Sequence, residues 1–240
     1  ITTTTNVTLT YLVNGEISGA SYYETSSTWE GKKIQDLVVY DPQSTFDRKS
    51  VAFTINFVKK NKVTVSKKSI TGTKEIPGAT LVIKDSKGAT ISSWVTKNTT
   101  TSVELAAGTY TLEETKAPAG YILNKNKVTF VVSDDGKVKV NNKEVTVVEI
   151  KNTPIIVNIS KRSINGKSEL PGAKLTIKDK NGKVAKDVNG KELTWTSTTE
   201  AVKFQLVPGT YFLSEEVAPK GYELSETVTK FVVGEDGTVK

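Results

Sequence analysis

Five side chains carry most of the reactive chemistry this sequence offers: Lys67, Glu114 and Asn152, and further on Lys161 and Glu215. Each falls in an alternating run where the pattern calls for an apolar residue. Side chains two apart on a strand share a face, so Tyr110, Leu112 and Glu114 point one way. The same holds for Val63, Val65 and Lys67, and for Val148, Ile150 and Asn152. The apolar members mark the inward side, which puts an amine, a carboxyl and a carboxamide in one core. Ile155, Val157, Ile159 and Lys161, with Tyr211, Leu213 and Glu215, repeat the first two parts of that pattern. Buried charges are costly unless neutral or partnered.

Two chemistries satisfy such a trio. One is a buried Lys–Glu ion pair with the asparagine as hydrogen-bond partner, which needs no reaction. The other is a self-made Lys–Asn isopeptide bond. Lysine attacks only as a neutral amine, and with an ordinary pKa of about 10.4 roughly one in a few thousand is neutral at pH 7. Burial lowers lysine and raises carboxyls by up to about 3 to 5 pH units, so an enclosed pair can exist as amine and acid. The acid would polarise the Asn152 carbonyl and shuttle a proton as the Lys67 amine attacks and ammonia leaves. Confinement supplies the effective concentration this poor electrophile requires. Glu114 and Glu215 are then the promoting groups, and the process is a single turnover, not enzyme catalysis. A bulge would shift the parity by one and turn any one of these residues outward.

The elements that must position these groups form an internal repeat. KKSITGTKEIPGATLVIKD from Lys67 matches KRSINGKSELPGAKLTIKD from Lys161, and GTYTLEETKAPAGY matches GTYFLSEEVAPKGY, with seven extra residues in the second copy. Short strands between turns such as DSKG, SDDG and GEDG read as tandem β-sandwiches. The spacing predicts a β-rich N-terminal domain or fragment over 1–61 and repeat domains over 62–154 and 155–240. Carrying the register forward places the second copy's asparagine, the partner of Lys161, about thirteen residues past Lys240.

Composition excludes much else. The 240 residues contain no cysteine, methionine or histidine, which removes disulfides, thiolate or imidazole metal sites and His-based triads; no cofactor is expected. The net charge of +7 comes almost wholly from dispersed lysines, Arg48 and Arg162 being the only arginines. Nucleic-acid readers use clustered charge and arginine forks, so no nucleic-acid partner is expected. No apolar run approaches membrane-spanning length.

At these residues the sequence resembles the Cna B-type domains of Gram-positive sortase-anchored adhesins and pilins. The resemblance covers about residues 62–240 and rests on VTVSKK and VNISKR, the PGA segments, the two Y-x-L-x-E stretches and the closing EIKNTP. It implies an all-β architecture of tandem seven-stranded Ig-like (reverse-Ig) sandwiches, each with a glutamate-assisted Lys–Asn isopeptide bond. Residue by residue it implies Lys67, Asn152 and Glu114 in the first domain, and Lys161 and Glu215 in the second. There Glu216 stands where a threonine commonly follows the glutamate. The implied role is a stalk or shaft segment of an extracellular, cell-wall-anchored adhesin or pilus subunit. Its partners would be other subunits, sortase and a host extracellular-matrix protein. The alternative is a ligand-binding adhesin module that grips matrix protein or glycan through residues 1–61, with Tyr22, Tyr23 and Trp29 as aromatic contacts.

Overall fold

The computed structural model describes residues 59–240 throughout and, ahead of them, only the backbone of five short strands. The chain divides into units Ile1–Lys60 and Asn61–Lys240. In the first unit β1 (Tyr11–Val13) pairs with β2 (Glu16–Ser18). A three-stranded antiparallel sheet there joins β3 (Ser21–Tyr22), β4 (Ile34–Tyr40) and β5 (Val51–Ile55). The aromatic contacts expected at Tyr23 and Trp29, and the side chain of Tyr22, lie outside the described residues.

In the second unit the first repeat runs through β6 (Lys60–Ser69), β7 (Thr80–Asp85), β8 (Thr90–Val95), β9 (Thr101–Ala106), β10 (Gly108–Lys116), β11 (Val128–Val132), β12 (Val138–Val140), β13 (Lys143–Val145) and β14 (Val148–Asn152). A six-stranded sheet in the order β13-β12-β11-β10-β7-β8 faces a three-stranded sheet in the order β14-β6-β9. Between them lies a core that includes Val63, Val65, Leu81, Ile83, Leu105, Leu112, Phe130, Val148 and Ile150. The period-2 alternation explains this: one side of each strand is apolar and meets its opposite number, as in aligned sandwiches. The nine strands exceed the seven that the resemblance implies, the additional pair being the β12–β13 hairpin. Asn141 and Asn142, with φ of 50° and 62°, close that hairpin. Asparagine tolerates this left-handed conformation, and two such residues suit a tight primed turn.

The second repeat follows with β15 (Ile156–Ile159), β16 (Lys174–Asp179), β17 (Thr194–Thr196), β18 (Val202–Gln205), β19 (Gly209–Val217) and β20 (Thr229–Val233). Its sheets are β17-β16-β19-β20 and β15-β18, around a second core of Ile155, Val157, Ile177, Leu193, Phe204, Leu206, Tyr211, Phe231 and neighbours. Both repeats are all-β, and no helix of the described residues is long and apolar enough to cross a membrane.

Two details recur in both copies and hold the key strands in place. The tyrosine that opens each Y-x-L-x-E stretch stacks on a phenylalanine of the next strand, at 5.7 Å between ring centroids for Tyr110–Phe130 and 5.4 Å for Tyr211–Phe231. Its hydroxyl donates to the carbonyl of Ala106 at 3.0 Å, or of Val207 at 2.9 Å. The PGA segment turns on a glycine with φ of 92° at Gly78 and 98° at Gly172, a conformation that disfavours any side chain. The following amide, of Ala79 or Ala173, donates to a buried hydroxyl of Thr96 or Ser197, which in turn donates to the carbonyl of Ile76 or Leu170.

Candidate functional site

The first and last strands of the first repeat lie side by side. β14 pairs in parallel with β6, setting Ile150 opposite Lys67 and Asn152 opposite Ser69. Lys67 and Asn152 are therefore diagonal neighbours on the inward face, within reach of long side chains. Glu114 comes from β10 in the facing sheet, opposite Leu81, where the β10–β7 register slips between Glu114 and Lys116. The same slip follows Glu215 in the second repeat. Bulges of this kind re-aim side chains, and here the inward parity up to the glutamate is kept.

The three side chains meet in a dry interior. Relative exposure is 1% for Lys67, 6% for Glu114 and 1% for Asn152. Lys67 Nζ lies 3.1 Å from Glu114 Oε1, and Asn152 Nδ2 donates to Glu114 Oε2 at 2.7 Å. One carboxyl group thus spans both nitrogens. The Nζ–Oε1 contact has an ion-pair distance but not hydrogen-bond geometry, so Lys67 Nζ, Glu114 Oε1 and Asn152 Oδ1 are each buried without a hydrogen bond. Buried polar atoms are rarely left in that state, and here the three belong to amine, acid and carbonyl. Burial holds the Lys67 amine below the ordinary lysine range, against the opposing pull of the Glu114 carboxylate. Desolvation thus favours the neutral nucleophile.

The second repeat brings Lys161 Nζ to 3.0 Å from Glu215 Oε1, and Glu215 Oε1 is likewise without a hydrogen bond. Its lysine is placed differently from the expectation that it would sit inward on the opening strand. β15 ends at Ile159, two residues before Lys161, and the Lys161 side chain is 21% exposed. It borders an open cavity of about 340 Å³ along with Glu169, Leu175 and Trp195. The physical reason is the neighbouring strand: β6 is flanked by β9 and β14, whereas among the described residues β15 pairs only with β18.

Two sets of supporting groups were not evident from the sequence. Glu75 accepts the Ser66 hydroxyl at 2.6 Å and the Lys67 backbone N–H at 2.7 Å, fixing the strand at the lysine. Glu169 accepts the Lys161 N–H at 3.0 Å and Arg162 Nε at 3.1 Å. The signal available was the shared glutamate before each PGA segment. The other set is backbone: the Asn124 N–H donates to Glu114 Oε2 at 2.7 Å, and the Ile122 carbonyl accepts from Asn152 Nδ2 at 2.6 Å. Side-chain patterns give no hint of these.

A family model described as SpaA, prealbumin-like fold domain, matches residues 61–146 and again 156–240. Comparison with curated proteins finds no match. Among solved structures, the Bacillus anthracis TIE protein is 20% identical with a TM-score of 0.44. The alignment covers 91% of this chain and 45% of that protein, so the chain spans less than half its length. A C-terminal fragment of the pilus adhesin SpaC from Lactobacillus rhamnosus GG is 21% identical, covering 75% of this chain and 84% of the fragment, with a TM-score of 0.44. BcpA, the major pilin subunit of Bacillus cereus, is 15% identical over 74% of this chain and 96% of its own, with a TM-score of 0.31.

Proposed function

The chain belongs to the SpaA prealbumin-like fold domain family, and from that premise we propose that it is a stalk or shaft segment of an extracellular, cell-wall-anchored adhesin or pilus subunit, welded by an isopeptide bond between Lys67 and Asn152. The observation that carries this reading is the enclosed contact of amine, acid and carboxamide, with its reactive atoms unsatisfied. Neighbouring subunits and a sortase would be its assembly partners, with a host matrix protein as a further one.

The reaction balances on the groups present. The neutral Lys67 amine adds to Asn152 Cγ, the Nζ–Cγ bond forms and the Cγ–Nδ2 bond breaks. Glu114 faces Nζ with Oε1 and Nδ2 with Oε2, so it can take a proton from the first nitrogen and deliver one to the second. Ammonia leaves and the carboxyl group is regenerated. Because β6 opens the domain and β14 closes it, tension applied across the repeat would pass through the bond. By analogy with a disulfide closing a loop of about 85 residues, the link would add roughly 4 to 5 kcal/mol. We assign Lys161 and Glu215 the same roles toward an asparagine supplied from outside residues 1–240.

Intact mass tests this: the chain should be lighter by one ammonia, and Glu114→Ala should carry the full sequence mass. A wild-type chain at full sequence mass refutes the cross-link.

A further inference from the structure

The loop between β10 and β11 touches both the reacting groups and the second repeat. On one side it holds the chemistry, through the Ile122 carbonyl on Asn152 Nδ2 and the Asn124 N–H on Glu114 Oε2. With Glu114 Oε2 taking the other Nδ2 hydrogen, both amide hydrogens of Asn152 are engaged, and the plane of the carboxamide is fixed. On the other side the loop is gripped from beyond the repeat. The Gly120 carbonyl accepts from the Ile155 N–H at 2.8 Å and from Gln205 Nε2 at 2.9 Å. Ile122 packs against the second core. A Cβ on Gly120 would lie 2.2 Å from Val188 Cγ1, and one on Gly237 would lie 2.9 Å from Ile122 Cδ1. The fit is close from several directions.

We infer that docking of the second repeat orients the leaving group of the first: Gln205, Val188 and the second core hold Gly120 and Ile122 so that the Ile122 carbonyl aims the Asn152 carboxamide at Lys67. This rests on the cross-link proposed above and adds a control to it. The weld in one domain is completed efficiently only when the next domain has folded against it. Ile122, Gln205 and Val188 are positioning residues, since neither Gln205 nor Val188 belongs to the reacting trio. The second repeat's own loop shows the contrast. Ser225 N–H reproduces the bond to Glu215 Oε2 at 2.9 Å, yet Glu223 stands where Ile122 does, and residues 221–230 are exposed throughout.

The test is the rate of ammonia loss after cell-free synthesis of the full chain, sampled by acid quench and intact mass at several pH values. Displacing reacting groups by about an ångström costs on the order of 100-fold in rate, so Gln205→Ala combined with Val188→Asp should slow the reaction by about 10- to 100-fold. Ile122→Ser should do the same and Ile122→Val should restore most of the rate. The pH at which the rate rises should stay put, because it belongs to Lys67. Amide exchange in the second core identifies any variant in which that repeat no longer folds; unfolding must then give at least the same slowing. Cross-linking of all variants at the wild-type rate overturns the inference and leaves the weld intact. Slowing by Ile122→Ser alone also overturns it, by tracing the effect to the loop itself. A wild type that never loses ammonia removes both proposals.

Discussion

The two repeats are nearly the same device in two settings. Both present a lysine amine about 3 Å from a glutamate oxygen, 3.1 Å in the first and 3.0 Å in the second, and both glutamate strands are held by equivalent tyrosines. Among the described residues, the first alone has a neighbouring strand on the lysine's open side, and there the lysine side chain is 1% exposed against 21% in the second. The Lys67–Glu114 pair is enclosed where β14 lies beside it, whereas the Lys161–Glu215 pair, with no such strand among the described residues, is partly open to solvent.

The sharpest way to break the comparison is to remove each glutamate. In residues 1–240, which do not include the asparagine assigned to Lys161, Glu114→Ala should cost the first repeat on the order of 4 to 5 kcal/mol by losing the cross-link, while Glu215→Ala should cost the second about 1 to 2 kcal/mol. Calorimetry that resolves the two transitions would show this, and equal losses would contradict it. The supporting glutamates come next. Glu75→Ala leaves a hydroxyl and a buried backbone N–H without an acceptor and should destabilise by about 1 to 3 kcal/mol. Glu169→Ala should cost less, because one of its donors is the exposed Arg162 side chain. Denaturant titration of the pair is the check.

A smaller effect concerns pH. In Asn152→Ala the lysine stays unreacted and its folded-state affinity for protons remains depressed by burial. The folded state then binds fewer protons than the unfolded one, so the penalty is complete below the folded pKa. It fades as pH rises toward about 10.4, the unfolded value. Stability of this variant should therefore climb with pH across that window, and a flat profile would deny the desolvation. The smallest effect should be a symmetrical one. Gly78→Ala and Gly172→Ala force alanine into φ near 92° and 98°, costing about 1 to 2 kcal/mol each. Equal shifts would show that the repeats differ at the lysine and not in their frames.

Much of the fold was legible because a strand's period of two leaves little freedom. Tyr110, Leu112 and Glu114 had to share a face, and the repeat told the same story twice. Lys161 was harder, since its inward placement depends on a partner strand that alternation cannot supply. Glu75 reads as a solvated charge beside a turn, and only the path of β6 shows that it caps the Lys67 amide. The Ile122 carbonyl and Asn124 N–H were invisible because backbone groups leave no mark on composition. The β12–β13 hairpin was written in Asn141–Asn142, but two-residue turns between such short strands carry little pattern on either side.

The central claim is most directly tested by peptide mapping of the intact chain. A branched species joining the Lys67 and Asn152 peptides, short of one ammonia and absent from Lys67→Arg, is the expected result. Separate linear peptides with Lys67 and Asn152 unmodified in the wild type would contradict it.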